Sequence, residues 1–129
     1  MIPEDLRYTD AHEWVRATSD GTVRVGVTDY AQRQLGDVVF VQLPEIGQRV
    51  VVGVAIGEVE STKSVSELFS PVTGEVVGAN DTLADQPELV NAEPYGDGWM
   101  LEIRPDEPAP GSLEGLLDAS AYRSLTNQS

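Results

Sequence analysis

Glycine and proline interrupt this chain at short intervals, and the stretches between them are rich in valine. That rhythm predicts many short strands joined by tight turns, because each interruption removes either a strand-compatible side chain or a ladder donor. Thr22-Val23-Arg24-Val25-Gly26-Val27 alternates, with its three valines on one face. Val38-Val39-Phe40-Val41-Gln42-Leu43 is a continuous apolar run ended by Pro44, and it reads as a strand buried on both sides. The stretch from Arg49 to Glu60 predicts two strands with a bend or bulge near Gly53. Gly74-Glu75-Val76-Val77-Gly78 is a further strand, closed by Asn80-Asp81. Trp99, Leu101 and Ile103 share one face of a last strand that stops before Pro105.

Helices are few. Thr28 or Asp29 caps a short one running through Tyr30 to Leu35, with Gly36 as its stop. Pro87 to Val90 fits a single turn. Beyond a Pro-rich connector from Pro105 to Gly111, Ser112 caps a helix with Leu113, Leu116 and Leu117 on one side. Asp118 caps a second piece carrying Ala121, Tyr122 and Leu125. The expected fold is mostly β, with a C-terminal helical segment lying on it as a small lid.

Composition narrows the function. A length of 129 residues fits one domain and buries a core without staples. The absence of cysteine removes disulfides, thiolate metal sites and thiol nucleophiles, so any sulfur redox chemistry must arrive on an attached group. Twenty-two carboxylates against eight cations give a formal charge of -14, which repels nucleic acid and anionic membranes and suits basic clefts on partner proteins. No apolar run is long enough to cross a bilayer. Met1 to Leu6 lacks the basic start and apolar centre of a signal peptide, so a cytoplasmic protein is expected.

Lys63 is the only lysine, whereas Arg7, Arg16, Arg24, Arg33, Arg49, Arg104 and Arg123 supply the other cations. Arginine cannot replace an amine that must become an amide, because guanidinium is always charged and a poor nucleophile. Taken alone, a solitary lysine is equally compatible with a compositional bias toward arginine. Its setting says more. Two β-runs flank Ser61-Thr62-Lys63-Ser64, whose small polar residues suit a hairpin turn. A lysine at such a tip is exposed on a stiff scaffold and open to a modifying enzyme. A lipoyl chain built on it reaches about 14 Å from Cα. A biotin carrier is expected to place Met on each side of its lysine, where this chain has Thr62 and Ser64. The lipoyl domains of 2-oxoacid dehydrogenases usually carry Asp directly before the lysine, where Thr62 stands.

Seven segments in order carry a resemblance over nearly the whole chain. They are Arg7-Tyr8-Thr9 with His12-Glu13-Trp14-Val15; Gly26-Val27-Thr28-Asp29-Tyr30-Ala31-Gln32; Leu35-Gly36-Asp37-Val38-Val39-Phe40-Val41; Leu43-Pro44-Glu45-Ile46-Gly47; Val59-Glu60-Ser61-Thr62-Lys63-Ser64; Ser70-Pro71-Val72-Thr73-Gly74-Glu75-Val76; and Pro94-Tyr95-Gly96-Asp97-Gly98-Trp99-Met100. With these the chain resembles the H-protein family of glycine cleavage systems. The resemblance implies a barrel-sandwich hybrid of the lipoyl and biotinyl kind, forming a single lipoyl-carrier domain over 1–129 with its lipoyl-like core at about 22–104 and the helical segment at about 112–126. It implies lipoic acid in amide linkage on Lys63, attached by a lipoate ligase or octanoyltransferase. Thr62 and Ser64 depart from the family's usual Val and Ala by small polar changes. The implied role is that of a carrier without catalysis of its own. Its swinging arm takes the aminomethyl group of glycine from a pyridoxal-phosphate glycine decarboxylase to a tetrahydrofolate-dependent aminomethyltransferase, and a dihydrolipoyl dehydrogenase reoxidises the arm.

The loaded arm ends in an amine that is cationic near neutral pH, so a sheltering carboxylate is expected nearby. Glu13, beside Trp14, and Glu67, four residues past the lysine, are the candidates, against the reading that both are ordinary solvated charges. His12, without Cys or a second His, makes a poor metal site, and a structural or hydrogen-bonding role is expected of it. Glu58 and Glu60 form a near carboxylate pair of the kind glycosidases use, but near pairs are unavoidable in so acidic a chain. Gly96-Asp97-Gly98 leads into a strand and reads as a turn, not a phosphate cradle. The competing functions are a lipoyl domain cut from an acyltransferase and an unmodified acidic interaction module or lipoyl-relay paralogue with no role in glycine cleavage.

Overall fold

A computed structural model describes residues 2–108 and 111–126. Its strands are β1 (Arg7–Tyr8), β2 (Glu13–Ala17), β3 (Val23–Val27), β4 (Val38–Gln42), β5 (Arg49–Val50), β6 (Ala55–Ser61), β7 (Val65–Phe69), β8 (Gly74–Ala79) and β9 (Leu101–Pro105). They form two antiparallel sheets, one of six strands in the order β1-β2-β3-β9-β8-β5 and one of three in the order β4-β6-β7. One apolar core joins them. Val23, Val25 and Val27 of β3 and Val76 and Ile103 of the large sheet cluster with Val38, Val59 and Leu68 of the small one. The alternation read in β3 is therefore the inward face of the large sheet. The mostly β architecture is what the strand rhythm led one to expect, and the two packed sheets agree with the barrel-sandwich fold that the resemblance implies.

The helices are α1 (Asp29–Leu35), α2 (Thr82–Asp85), α3 (Leu89–Ala92) and α4 (Ala119–Thr126). Thr28, not Asp29, caps α1: its hydroxyl accepts from the Ala31 N–H at 3.1 Å. Asp29 instead pairs with Arg33 one turn on, at 2.9 Å. Asp118 caps α4 through a 2.8 Å bond from the Ala121 N–H. Tyr122 then enters a second apolar cluster with Leu6, Tyr8, Trp14 and Ala119. No helix among the described residues is long and apolar enough to cross a membrane.

Several expectations need correction. The run from Val38 to Leu43 is not buried on both sides: β4 is an edge strand with a register break between Val38 and Phe40, and Val39 and Phe40 are 48% and 53% exposed. The last strand includes Pro105, since its final residue needs no ladder donor, and begins at Leu101, past Trp99. Ser112 starts no α-helix. A single 3-10 turn spans Gly111–Leu113, and the chain then extends so that Leu117 bridges Tyr8. Leu125 points outward and is exposed.

Candidate functional site

β6 and β7 form a hairpin, and Lys63 lies at its tip. Ser61, buried, builds the turn: its Oγ accepts from the N–H groups of Lys63 at 3.2 Å and Ser64 at 3.1 Å. Its hydroxyl donates to the Ser64 carbonyl. The tip is also tied sideways, because the Thr62 N–H donates to the Asp37 carbonyl at 3.0 Å. Lys63 is exposed. Its stem lies across Gly36, where an added Cβ would come within 3.3 Å of Lys63 Cε. Gly36 also has φ +81°, in the left-handed region that favours glycine.

Asn91, on α3, holds the segment on which the tip rests. Its Nδ2 donates to the Gly36 carbonyl at 2.8 Å and to Gln32 Oε1 at 2.9 Å, while its Oδ1 accepts from the Val38 N–H at 2.9 Å. Nothing in the sequence around Lys63 signals this residue. Asn91→Ala leaves the buried Val38 amide without its acceptor and is expected to cost about 1–3 kcal/mol of stability. Urea denaturation reads the loss, and faster hydrogen exchange at the Val38 amide locates it.

Alongside the hairpin runs a cleft of about 430 Å³ that begins at Ser64, one residue past the lysine. Val27, Tyr30, Leu35, Val59 and Val65 give it apolar walls, and Glu13 and Glu67 both line it. The two carboxylates differ in state. Glu67 is exposed, as a solvated charge would be. Glu13 is only 1% exposed. Its Oε2 accepts from the Phe69 N–H at 2.7 Å, and its Oε1 accepts from the Thr9 hydroxyl at 3.2 Å. Burial raises its pKa from the ordinary 4.5 to about 7, and those two hydrogen bonds hold back a larger rise. Glu13 also borders a second cleft of about 460 Å³ walled by Tyr8, Phe69, Pro71, Leu116 and Leu117.

His12 lines the first cleft as well. Its φ of +66° is the one positive value at a non-glycine among the described residues. Two backbone bonds hold it there, from its own N–H to Thr9 and from the Thr28 N–H to its carbonyl, both at 3.1 Å. Burial lowers its pKa from the ordinary 6.5, against a smaller upward pull from Asp10. Among the described residues no group of three His, Cys, Asp or Glu is placed to hold a metal. Glu58 and Glu60 are both exposed on β6, with buried Val59 between them facing the core. Both are solvent-facing charges on the side of the strand away from the core.

The Glycine cleavage H-protein family model matches residues 6–129. The chain is 56% identical to the glycine cleavage system H protein of Mycobacteroides abscessus, over 98% of each chain. It is 57% identical to the protein of that name from Mycolicibacterium smegmatis, again over 98% of each. The crystal structure of a glycine cleavage system H protein from Mycobacterium marinum superposes with a TM-score of 0.87 at 44% identity, covering 98% of this chain and 99% of the other.

Proposed function

The chain belongs to the glycine cleavage H-protein family, and on that premise we propose that Lys63 carries lipoic acid as an amide on Nζ and that the cleft beside the hairpin shelters the end of that arm. The observation that carries this reading is the adjacency of an exposed lysine, on a braced turn, to a cleft that begins at the next residue and has both Glu13 and Glu67 on its lining.

The residues present fit the group. Lys63 has no side-chain hydrogen bond or ion pair among the described residues, so acylation disturbs nothing. An arm reaching about 14 Å spans the distance along β7, where strand residues advance about 3.3 Å each. The dithiolane supplies the sulfur chemistry that a cysteine-free chain lacks. What the chain supplies is position. Ser61, Asn91 and Gly36 fix the anchor, the apolar walls take the alkyl stem out of water, and the two carboxylates offer a negative end for a cationic cargo.

In this reading the protein is a cytoplasmic carrier and not a catalyst. It serves the other components of glycine cleavage in turn: the pyridoxal-phosphate decarboxylase, the tetrahydrofolate-dependent aminomethyltransferase and dihydrolipoyl dehydrogenase. A lipoate ligase or octanoyltransferase loads it beforehand. Its strongly acidic surface suits docking to basic clefts on such partners. Intact mass of protein isolated from its native host, followed by peptide mapping, is expected to place a lipoyl adduct on Lys63. An unmodified lysine in that material, or a biotinyl adduct, would refute the assignment.

A further inference from the structure

Behind the cleft, three side chains from distant parts of the sequence form one hydrogen-bonded row. Thr28 Oγ1 lies 2.7 Å from Tyr122 Oη, and the same Oη lies 2.9 Å from His12 Nδ1. Thr28 and Tyr122 are both fully buried. Neither hydroxyl proton has water to turn to, so each needs an acceptor within the protein. Thr28 Oγ1 already accepts from the Ala31 N–H, and the acceptor within reach of its own proton, among the described residues, is Tyr122 Oη. Tyr122 must then pass its proton onward, and the acceptor within its reach is His12 Nδ1.

Both bond directions follow. Thr28 donates to Tyr122, and Tyr122 donates to His12. A ring nitrogen that accepts carries no proton, so the imidazole is neutral with its proton on Nε2. The opposite direction would strand a buried hydroxyl proton, at a cost of about 1–3 kcal/mol. Nε2 has no hydrogen-bond partner among the described residues, yet it is not one of their buried unpartnered atoms. It is therefore open to solvent, on a side chain that lines the cleft.

We propose that His12 is a positioning residue of the cleft: the Thr28–Tyr122 relay holds it as the neutral Nε2–H tautomer, so that the wall presents an uncharged N–H donor beside Glu13 and Glu67 instead of an imidazolium that would oppose a cationic occupant. Tyr30 braces the ring from another side at 4.7 Å between centroids, and the Tyr122 ring that supplies the hydroxyl meets it edge-on at 5.7 Å. Tyr122 is in turn stacked on Tyr8 at 4.6 Å. Helix α4 thus does more than cover the sheet, since its tyrosine sets the protonation of a cleft residue 110 positions away. The ionisable groups facing His12 are Asp10 and Glu13 on its own segment, Tyr30 from α1, Tyr122 from α4 and Glu67 across the cleft. Of these, Asp10 pulls toward the cation and burial opposes it; the relay opposes it as well, because an accepting Nδ1 carries no proton. The consequence for the cargo rests on the shelter proposed above; the tautomer does not.

Because His12 is the only histidine, ring nitrogen-15 correlations on the unlipoylated full-length chain need no assignment. Between about pH 5 and 8 they are expected to show Nδ1 unprotonated and Nε2 protonated at neutrality, with a titration midpoint below the ordinary 6.5. Tyr122→Phe keeps the stack on Tyr8 but removes the donor. It is expected to mix the two tautomers and move the midpoint upward. A proton on Nδ1 in the wild-type protein overturns the inference without any variant having to fold. So does a wild-type midpoint at or above 6.5, or a Tyr122→Phe spectrum identical to wild type. None of these outcomes touches the Lys63 assignment, which the adduct mass tests separately.

Discussion

Lys63→Arg is expected to yield a folded protein that accepts no lipoyl group and drives no glycine breakdown above background. The two halves of that expectation have separate physical grounds. The fold survives because the side chain is exposed and its ammonium has no ion-pair partner among the described residues, and surface changes of that kind stay within about 0.5 kcal/mol. The brace of the turn is also untouched, since Ser61, Asp37 and Asn91 hold backbone atoms rather than the lysine amine. Function is lost because guanidinium keeps its charge and its planar delocalisation, so it forms no stable amide with a carboxylic acid. The chain has no other lysine to take the place of the first. Intact mass after incubation with the modifying enzyme, and glycine-dependent reduction of NAD in the reconstituted system, read the two losses, while an unchanged urea midpoint excludes unfolding. Sustained glycine breakdown by the arginine variant would remove the amine from its central place.

Features that depend on neighbours in sequence were legible in advance. The alternation at Val23, Val25 and Val27 shows directly which face meets the core, and Thr28 followed by seven helix-compatible residues and Gly36 marks a helix from cap to stop. The lysine turn was equally plain, because the Ser61 hydroxyl bonds only to residues two and three positions on. What escaped depends on contacts across the fold. Exposure of Phe40 follows from its strand lying at a sheet edge, which an apolar run cannot reveal. Asn91 reaches back 55 residues to Gly36, and Tyr122 reaches back 94 to Thr28. Glu13 is legible in sequence as a carboxylate beside a tryptophan, but its burial requires the Phe69 amide, 56 residues distant, to receive it. The difference between it and Glu67 is therefore one of tertiary setting, and two glutamates that look alike in sequence have opposite environments in the structure.

With its pKa raised by burial, Glu13 is expected to cost stability once ionised in the empty protein, and Glu13→Gln is expected to stabilise it above neutral pH. Below about pH 4.5 folded and unfolded chains both hold the Glu13 proton, and the raised pKa has no effect on stability. Between 4.5 and about 7 the unfolded chain releases that proton while the native state retains it, so this residue's contribution falls by about 1.4 kcal/mol per pH unit. Above the folded value the native carboxylate is ionised in a buried site, and the accumulated loss levels off at about 3 kcal/mol. Glutamine keeps the shape and still accepts from the Phe69 N–H without ever ionising. His12, with its lowered pKa, gives the opposite slope below 6.5, so the quantity to measure is the difference between the two proteins. Urea unfolding of unlipoylated material should give equal stabilities near pH 4 and a gap opening to about 3 kcal/mol by pH 8; parallel curves would show that Glu13 is not held near neutrality. The same substitution should shorten the life of the loaded arm, because a neutral amide gives a docked ammonium no counter-charge, and an unchanged lifetime would end the sheltering role. A docked cation would favour the ionised carboxylate and draw the Glu13 pKa back down, so under the proposed sheltering role the charge that weakens the empty protein is the one that would hold the cargo. A residue that costs stability when idle and recovers it on loading fits a carrier that must hold its cargo in transit and release it at each stop.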